Sequence, residues 1–375
     1  MSEKMKARAV SLLAKAGITI NGTEPHSLLV RDERLYRRVF AHGSLGFCEA
    51  FMDGWWGARD LPAFFRKIFA VNLHRELWGI ETALLVLQAR ILDMQSVRRS
   101  KRVARQHYDL TPVHEAMLGA YRVYSGGYWR GGAKTLDEAQ SAQLERNCQM
   151  LALRPGETLL DMGCGWGEQL KWAWTHHGVR GVGLTLSHEQ VAYACEQCAD
   201  MPIEFHLTDY RHIAGSYDKI VSTGMFEHVG PKHSRTFMLK VRELLKDAES
   251  SRALIQSIAG IASRDAGNSW MNRYIFPGGV IQSAAQMFTA MDGLLVPIML
   301  ENIGPDYALT LRSWRENFKN AWPRLWGGPF DERFYRMWDL YLASSEASFD
   351  VRHHQLYRML LSATGVPADF HPPAA

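Results

Sequence analysis

Apolar and polar positions change rhythm near residue 106. Beyond it, short apolar runs alternate with longer amphipathic stretches. Thr158-Leu159-Leu160-Asp161-Met162 predicts a buried strand, with a helix opening at Gly167. Gly181–Leu184 predicts a second strand and His188–Cys198 a second helix. Strands at Ile203–His206 and Lys219–Ser222, a helix at Lys232–Leu245 and a strand at Ala253–Ile258 continue the series. Strands spaced by helical runs imply an α/β fold with a doubly wound, mostly parallel sheet.

The chain before this region reads differently. Residues 1–88 predict a small, mainly helical N-terminal domain, with a turn at Asn21-Gly22 and a strand-like Leu28-Leu29-Val30. Phe47, Phe51, Trp55 and Trp56 crowd one stretch. They form either a packed satellite core or a surface that meets lipid or a partner chain. Residues 89–105 read as a basic linker: six Arg and Lys stand against Asp93 alone, a local charge of +5. Residues 106–375 make up the α/β domain.

Composition narrows the function classes. A length of 375 residues accommodates more than one domain, and 47% apolar with 22% charged residues excludes wholesale disorder. The net charge of +4 is too small for a nucleic-acid binder; the basic linker is either a solvated helix face or a stretch attracted to an anionic membrane surface. Five cysteines, an odd count, argue against a disulfide scaffold and for a reducing cytoplasm. Cys195-Glu196-Gln197-Cys198 ends a helix, lacks the partners of a zinc set and implies no metal. The longest stretch without Asp, Glu, Lys or Arg, Tyr274–Met291, is interrupted by Pro277-Gly278-Gly279 and is no bilayer span. The chain is expected to be soluble or to sit on a membrane without crossing it; with the family resemblance described below, the expected location is cytoplasmic, peripheral to the inner face of the cell membrane.

The strongest chemical signal is Asp161-Met162-Gly163-Cys164-Gly165-Trp166-Gly167. Glycines let the backbone approach a ligand, and the following helix offers free N–H donors. The third glycine comes one residue early for a dinucleotide loop. With Asp161 directly before the turn, the string resembles the loop of S-adenosylmethionine-dependent methyltransferases, although another nucleotide remains an alternative. After the second strand, Thr185, Leu186 and Gln190 fall where a ribose needs partners; no acid stands there, and Gln190 is the nearest polar group. After the third strand, Asp209 can accept from an adenine amino group and Tyr210 can lend a ring face.

Several longer strings together resemble bacterial cyclopropane fatty acyl phospholipid synthases. They are His107-Tyr108-Asp109-Leu110, Tyr124-Ser125-Gly126-Gly127-Tyr128-Trp129, the glycine loop, Leu184-Thr185-Leu186-Ser187, Gly224-Met225-Phe226-Glu227-His228-Val229-Gly230 and Tyr274-Ile275-Phe276-Pro277-Gly278-Gly279. Ser44-Leu45-Gly46 and Phe51-Met52-Asp53-Gly54-Trp55-Trp56 match the family's small N-terminal domain. The resemblance covers nearly the whole chain. It implies a class I methyltransferase sheet, a homodimer, membrane engagement by the N-terminal domain, and methyl transfer from S-adenosylmethionine to the cis double bond of a phospholipid acyl chain. A carbocation then loses a proton from the new methyl and a three-membered ring closes. Tyr124 and Ser125 would lie near the cofactor's carboxylate. An alkene is a weak nucleophile and water would quench the cation, so the site must be close-fitting and dry. Aromatic faces such as Tyr124, Tyr128, Trp129, Phe226, Tyr274 and Phe276 suit that task, or else serve as plain core.

Family members take the last proton with a bound bicarbonate. Glu227 and Tyr307 match two residues of that site, and Ile258 matches a backbone contact. Two other positions depart. The family's cysteine is Gly126 here, and its histidine at the end of the fifth strand is Gln256. Glutamine donates hydrogen bonds but carries no positive charge, so bicarbonate is expected to bind weakly or not at all. Glu168 replaces a usual glycine after the loop; it is either a substitute base or a first-turn acid favoured by the helix dipole. Without a base at the methyl, the product would be a methyl-branched or methylene chain. A catalytically inactive lipid-binding partner subunit is a further alternative.

Overall fold

A computed structural model describes residues 2–77, 111–246, 249–264, 266–365 and 370. The basic stretch 89–105 and the string 107–110 lie outside the described residues. In chain order the elements are α1 (Ser2–Ala14), β1 (Leu29–Val30), α2 (Arg34–Met52), β2 (Trp56–Gly57), α3 (Leu61–Ala70), α4 (Thr111–Met117) and α5 (Leu136–Leu151). Then come β3 (Thr158–Met162), α6 (Glu168–His177), β4 (Arg180–Thr185), α7 (His188–Gln197), β5 (Ile203–Leu207), β6 (Lys219–Thr223), α8 (Phe226–Val229), α9 (Ser234–Leu244) and β7 (Arg252–Gly260). The last are α10 (Ser269–Tyr274), α11 (Ala284–Met291), β8 (Val296–Asn302), α12 (Gly304–Leu325), α13 (Glu332–Asp350) and β9 (His354–Ser362). The expected strands and helices between residues 158 and 260 are all present, with ends that differ by a few residues. Among the described residues no helix is long and apolar enough to cross a membrane.

The chain forms two compact units. One gathers the described residues of Met1–Leu92, Asp265–Pro277 and Ala308–His354; the other gathers those of Asp93–Arg264, Gly278–Tyr307 and Gln355–Ala375. In the first, α13 packs on α3 and α2. Asp60 caps α3 by accepting from the Ala63 amide at 2.9 Å, and Pro62 suits the first turn. The crowded aromatics here are core. Trp56 is fully buried, stacks on Phe47 at 4.2 Å and donates its indole N–H to the Phe47 carbonyl at 2.8 Å. Arg336 reaches from α13 to the Trp56 carbonyl at 2.9 Å and lies 4.3 Å over the Phe51 ring. Trp55 is half-buried beneath Arg34 and Arg38, at 4.6 and 4.9 Å.

The second unit is built on a seven-stranded sheet of order β5-β4-β3-β6-β7-β9-β8. β3 pairs in parallel with β4 and β6, β4 with β5, and β6 with β7, whereas β8 runs antiparallel to β9. Leucines and β-branched residues of β3, β6 and β7 are buried on both faces, which is why these strands read as continuous apolar runs. From β3 the chain builds outward to β4 and β5, then returns to lay β6 on the opposite side of β3. That reversal opens a crevice at the carboxyl ends of β3 and β6, where such sheets bind ligands.

Replacing Trp56 with alanine removes a fully buried indole and its hydrogen bond. The expected loss is about 3–5 kcal/mol from the stability of the first unit, read by urea unfolding followed by far-ultraviolet circular dichroism.

Candidate active site

The glycine loop lies at the reversal. The amides of Gly163 and Cys164 both donate to the Leu184 carbonyl, at 3.0 and 2.9 Å, which pins the loop to β4. Gly163 and Gly165 take positive φ, +95° and +53°, and no atom lies within 4 Å of where a Cβ on Gly165 would stand. The backbone is therefore open to close approach by a ligand. Asp161 is 2% exposed, and its Oδ1 has no hydrogen-bond partner. Burial without a compensating charge pushes its carboxyl up to about 7. A cationic or N–H-bearing ligand group would satisfy it, so the residues present fit an aminoacyl nucleoside.

The neighbouring candidates occupy successive strand ends. Thr185 donates to Gln190 Oε1 at 2.6 Å, which turns the amide and leaves its NH2 as the outward donor. Ser187 caps α7, accepting from the Gln190 amide at 3.4 Å, and Leu186 is half-buried between them. Asp209 is already engaged: Arg211 donates to it through its backbone amide, Nε and Nη2 at 3.0, 2.7 and 2.8 Å. Burial alone would raise this carboxyl, but Arg211 holds it below its usual range. Tyr210 packs edge-on against Phe237 at 5.3 Å within the core. Ser125 accepts from Gln143 at 2.7 Å, and the Tyr124 ring tilts 5.1 Å from that of His114.

A second group stands at the ends of β6 and β7. Glu227 lies in the first turn of the short α8 after β6. Its Oε1 accepts from the Ile258 amide at 2.6 Å, whereas its buried Oε2 has no partner. Burial raises this carboxyl to about 7 against the pull of the Ile258 amide. Met225, two residues earlier, stands 3.1 Å from where a Cβ on Gly163 would lie, so the segment that leads into this acid packs against the glycine loop. A Cβ on Gly126 would stand 2.6 Å from Leu356 Cδ2 and 3.3 Å from the Tyr307 ring; the space of a larger side chain is already filled. Glu168 begins α6, and its carboxylate lies 3.7 Å from Lys171 Nζ. Burial raises its pKa with Lys171 opposing.

The aromatic candidates divide. Phe226 is fully buried against Phe237 at 5.4 Å, and the Tyr128 ring faces Arg146 and Arg358 at 5.6 and 5.3 Å. Trp129 is half-buried, and its amide donates to Asp306 at 3.0 Å. In the first unit, the Tyr274 hydroxyl donates to Glu49 at 2.8 Å and Phe276 meets the Tyr341 ring edge-on at 5.7 Å. Sequence reasoning missed Arg358, which is fully buried on β9 and donates from Nε to Gln256 Oε1 at 2.8 Å. Its one signal was a lone cation inside the apolar run Leu356-Tyr357-Arg358-Met359-Leu360.

Comparison with known proteins places this geometry. Residues 95–359 match the family model of mycolic acid cyclopropane synthetase. The chain is 37% identical over 356 residues to the cyclopropane-fatty-acyl-phospholipid synthase of Escherichia coli strain K12, covering 94% of this chain and 92% of that protein. It is 29% identical over 366 residues to the tuberculostearic acid methyltransferase UfaA1 of Mycobacterium tuberculosis, covering 92% and 84%. Among solved structures, the mycolic acid cyclopropane synthase CmaA1 complexed with SAH and CTAB superposes with a TM-score of 0.64 at 26% identity, covering 70% of this chain and 97% of that one.

The raised Asp161 carboxyl carries a stability cost with a defined sign. Below about pH 4 both folded and unfolded chains hold its proton; between about pH 4 and pH 7 the unfolded chain releases it first, so folding weakens as pH rises through that window. Asp161→Asn is expected to gain stability over the parent, by up to about 4 kcal/mol, at about pH 8 but little at about pH 4. Thermal unfolding at the two pH values reads the difference.

Proposed function

This chain belongs to the mycolic acid cyclopropane synthetase family, and on that premise we propose that it transfers a methyl group from S-adenosylmethionine to the cis double bond of an unsaturated phospholipid acyl chain, forming a cyclopropane. The coarser part, methyl transfer to lipid acyl chains by an S-adenosylmethionine-dependent enzyme, follows from the family. The finer part is supported by one observation: Glu227 keeps a buried carboxyl oxygen without a hydrogen-bond partner, two residues after Met225, whose side chain lies beside Gly163 of the glycine loop.

When bound, S-adenosylmethionine supplies an electrophilic methyl on a positively charged sulfur. Asp161 would accept from its amino-acid end, Gly163 and Gly165 would let the backbone lie along it, and Gln190 would donate to the ribose. Methyl transfer leaves a cation on the former alkene. Loss of a proton from the new methyl frees the C–H electron pair, which closes the ring. In this reading Glu227 takes up that proton or passes it on, and its raised pKa, about 7, keeps it near balance at neutral pH. Burial of the site protects the cation from water. In the same reading, the basic stretch 89–105 draws the protein to an anionic membrane, where the substrate lies. A second copy forms the homodimer.

Lipids from cells expressing the protein are expected to gain one methylene per modified acyl chain and to lose the ozone-sensitive double bond, as read by mass spectrometry. An added methylene with a surviving double bond would identify the branched product instead, and unaltered lipids would refute the proposal. Glu227→Gln is expected to reduce turnover by about a hundredfold or more while leaving cofactor affinity, measured by calorimetry, near that of the parent.

A further inference from the structure

Beside the glycine loop stands a cation that the reaction as described does not use. Arg122 ends a turn after α4, its amide donating to the Gly119 carbonyl at 3.2 Å. Its φ is +49°, a left-handed backbone that a residue with a Cβ holds only at a cost. The chain around it is braced from α5. Gln140 donates to the Leu118 and Val123 carbonyls at 2.7 and 3.1 Å, Asp137 accepts from the Ala120 amide at 3.0 Å, and Gln143 donates to Ser125 at 2.7 Å. From this braced turn the Arg122 side chain reaches two other segments. Its guanidinium carbon lies 4.3 Å from the centre of the Tyr193 ring on α7 and 5.6 Å from that of Trp166 in the glycine loop. The two rings meet edge-on at 5.4 Å. Tyr121, next to Arg122, meets Trp172 of α6 edge-on at 6.0 Å.

Trp166 is buried and is the one large side chain in the run Gly163–Gly167. Glycines leave a backbone many conformations, so holding Trp166 holds the loop. Gly167 closes the loop on the same helix: a Cβ there would stand 3.0 Å from Ala194. Gln190 lies one turn before Tyr193 and Ala194 on α7. The charges around Arg122 balance. It faces Glu115 of α4 at 3.0 Å, and its charge also acts on Glu168 at the start of α6, which lies 3.7 Å from Lys171. Two acids thus stand against two cations, and the cluster calls for no bound anion. What Arg122 adds is attachment between segments.

We propose that Arg122 is a positioning residue for the cofactor: its guanidinium clasps the segment that carries Tyr124 and Ser125 to the glycine loop and to α7, and this clasp sets how long S-adenosylmethionine and its demethylated product stay bound. The inference rests on the functional reading above, which places the cofactor among these three segments. Each carries one of the assigned contacts: Tyr124 and Ser125 on the first, Gly163 and Gly165 on the second, Gln190 on the third. A planar guanidinium over aromatic faces is attracted by their electrons and needs no hydrogen-bond acceptor from them. The three segments therefore hold together as one wall, and the ligand leaves when the rings part from the cation.

The test uses the full-length protein. Stopped-flow tryptophan fluorescence gives the dissociation rate of S-adenosylhomocysteine, calorimetry gives its affinity, and thermal unfolding of the ligand-free protein reports on the fold. Arg122→Gln keeps a polar side chain but loses the cation. Tyr193→Phe keeps the ring face, and Tyr193→Leu loses it. Arg122→Gln and Tyr193→Leu are each expected to speed dissociation roughly five- to tenfold and to weaken affinity to match, whereas Tyr193→Phe stays within about twofold of the parent. Ligand-free unfolding temperatures are expected to stay near that of the parent. Combining Arg122→Gln with Tyr193→Leu should give less than the product of the two effects, because both remove one contact. An unchanged dissociation rate in Arg122→Gln, fully multiplicative effects in the double variant, or an acceleration by Tyr193→Phe as large as that by Tyr193→Leu overturns the proposal. Failure of the parent to bind S-adenosylhomocysteine would instead overturn the functional reading, which separates the two failures.

Discussion

The site depends on keeping two carboxyls out of water at the carboxyl edge of one sheet. Asp161 and Glu227 each retain a buried oxygen without a partner, and burial raises both to about 7. An uncompensated buried acid weakens the fold. It also leaves an acceptor that a ligand with matching donors would satisfy. The reversal of strand order between β3 and β6 makes this possible by bringing the loops that follow these two strands side by side.

Much of this was legible along the chain, for a physical reason. Strands β3, β6 and β7 are buried on both faces, so they read as short apolar runs, and glycines and caps mark where helices begin. Asp161 stood out by its place directly before the glycine turn, and Glu227 by its match to the family string around it. The aromatics from Phe47 to Trp56 were ambiguous because a packed core and a lipid-facing surface use the same residue types. Only the contacts of Trp56 with Phe47 and Arg336 decide it.

What stayed hidden was non-local. β8 carries Pro297 and exposes Val296 and Leu300, so its alternation is weak. The joining of α13 to the N-terminal helices leaves no local mark in either segment. Gln256 and Arg358 are 102 positions apart, and their meeting depends on β9 lying beside β7. Judged one position at a time, Gln256 is a lost cation. Judged with its neighbour, it is an amide turned by a cation. Asp209 is a local case: Arg211, two residues away, donates to the carboxylate that the adenine reading assigned to a ligand.

The packing beside Gly126 ties two distant positions together. Leu356 Cδ2 and the Tyr307 ring stand where a side chain at 126 would begin. A larger residue at 126 would therefore need the Leu356 methyl to turn aside, so the sizes of residues 126 and 356 are chosen jointly rather than one at a time.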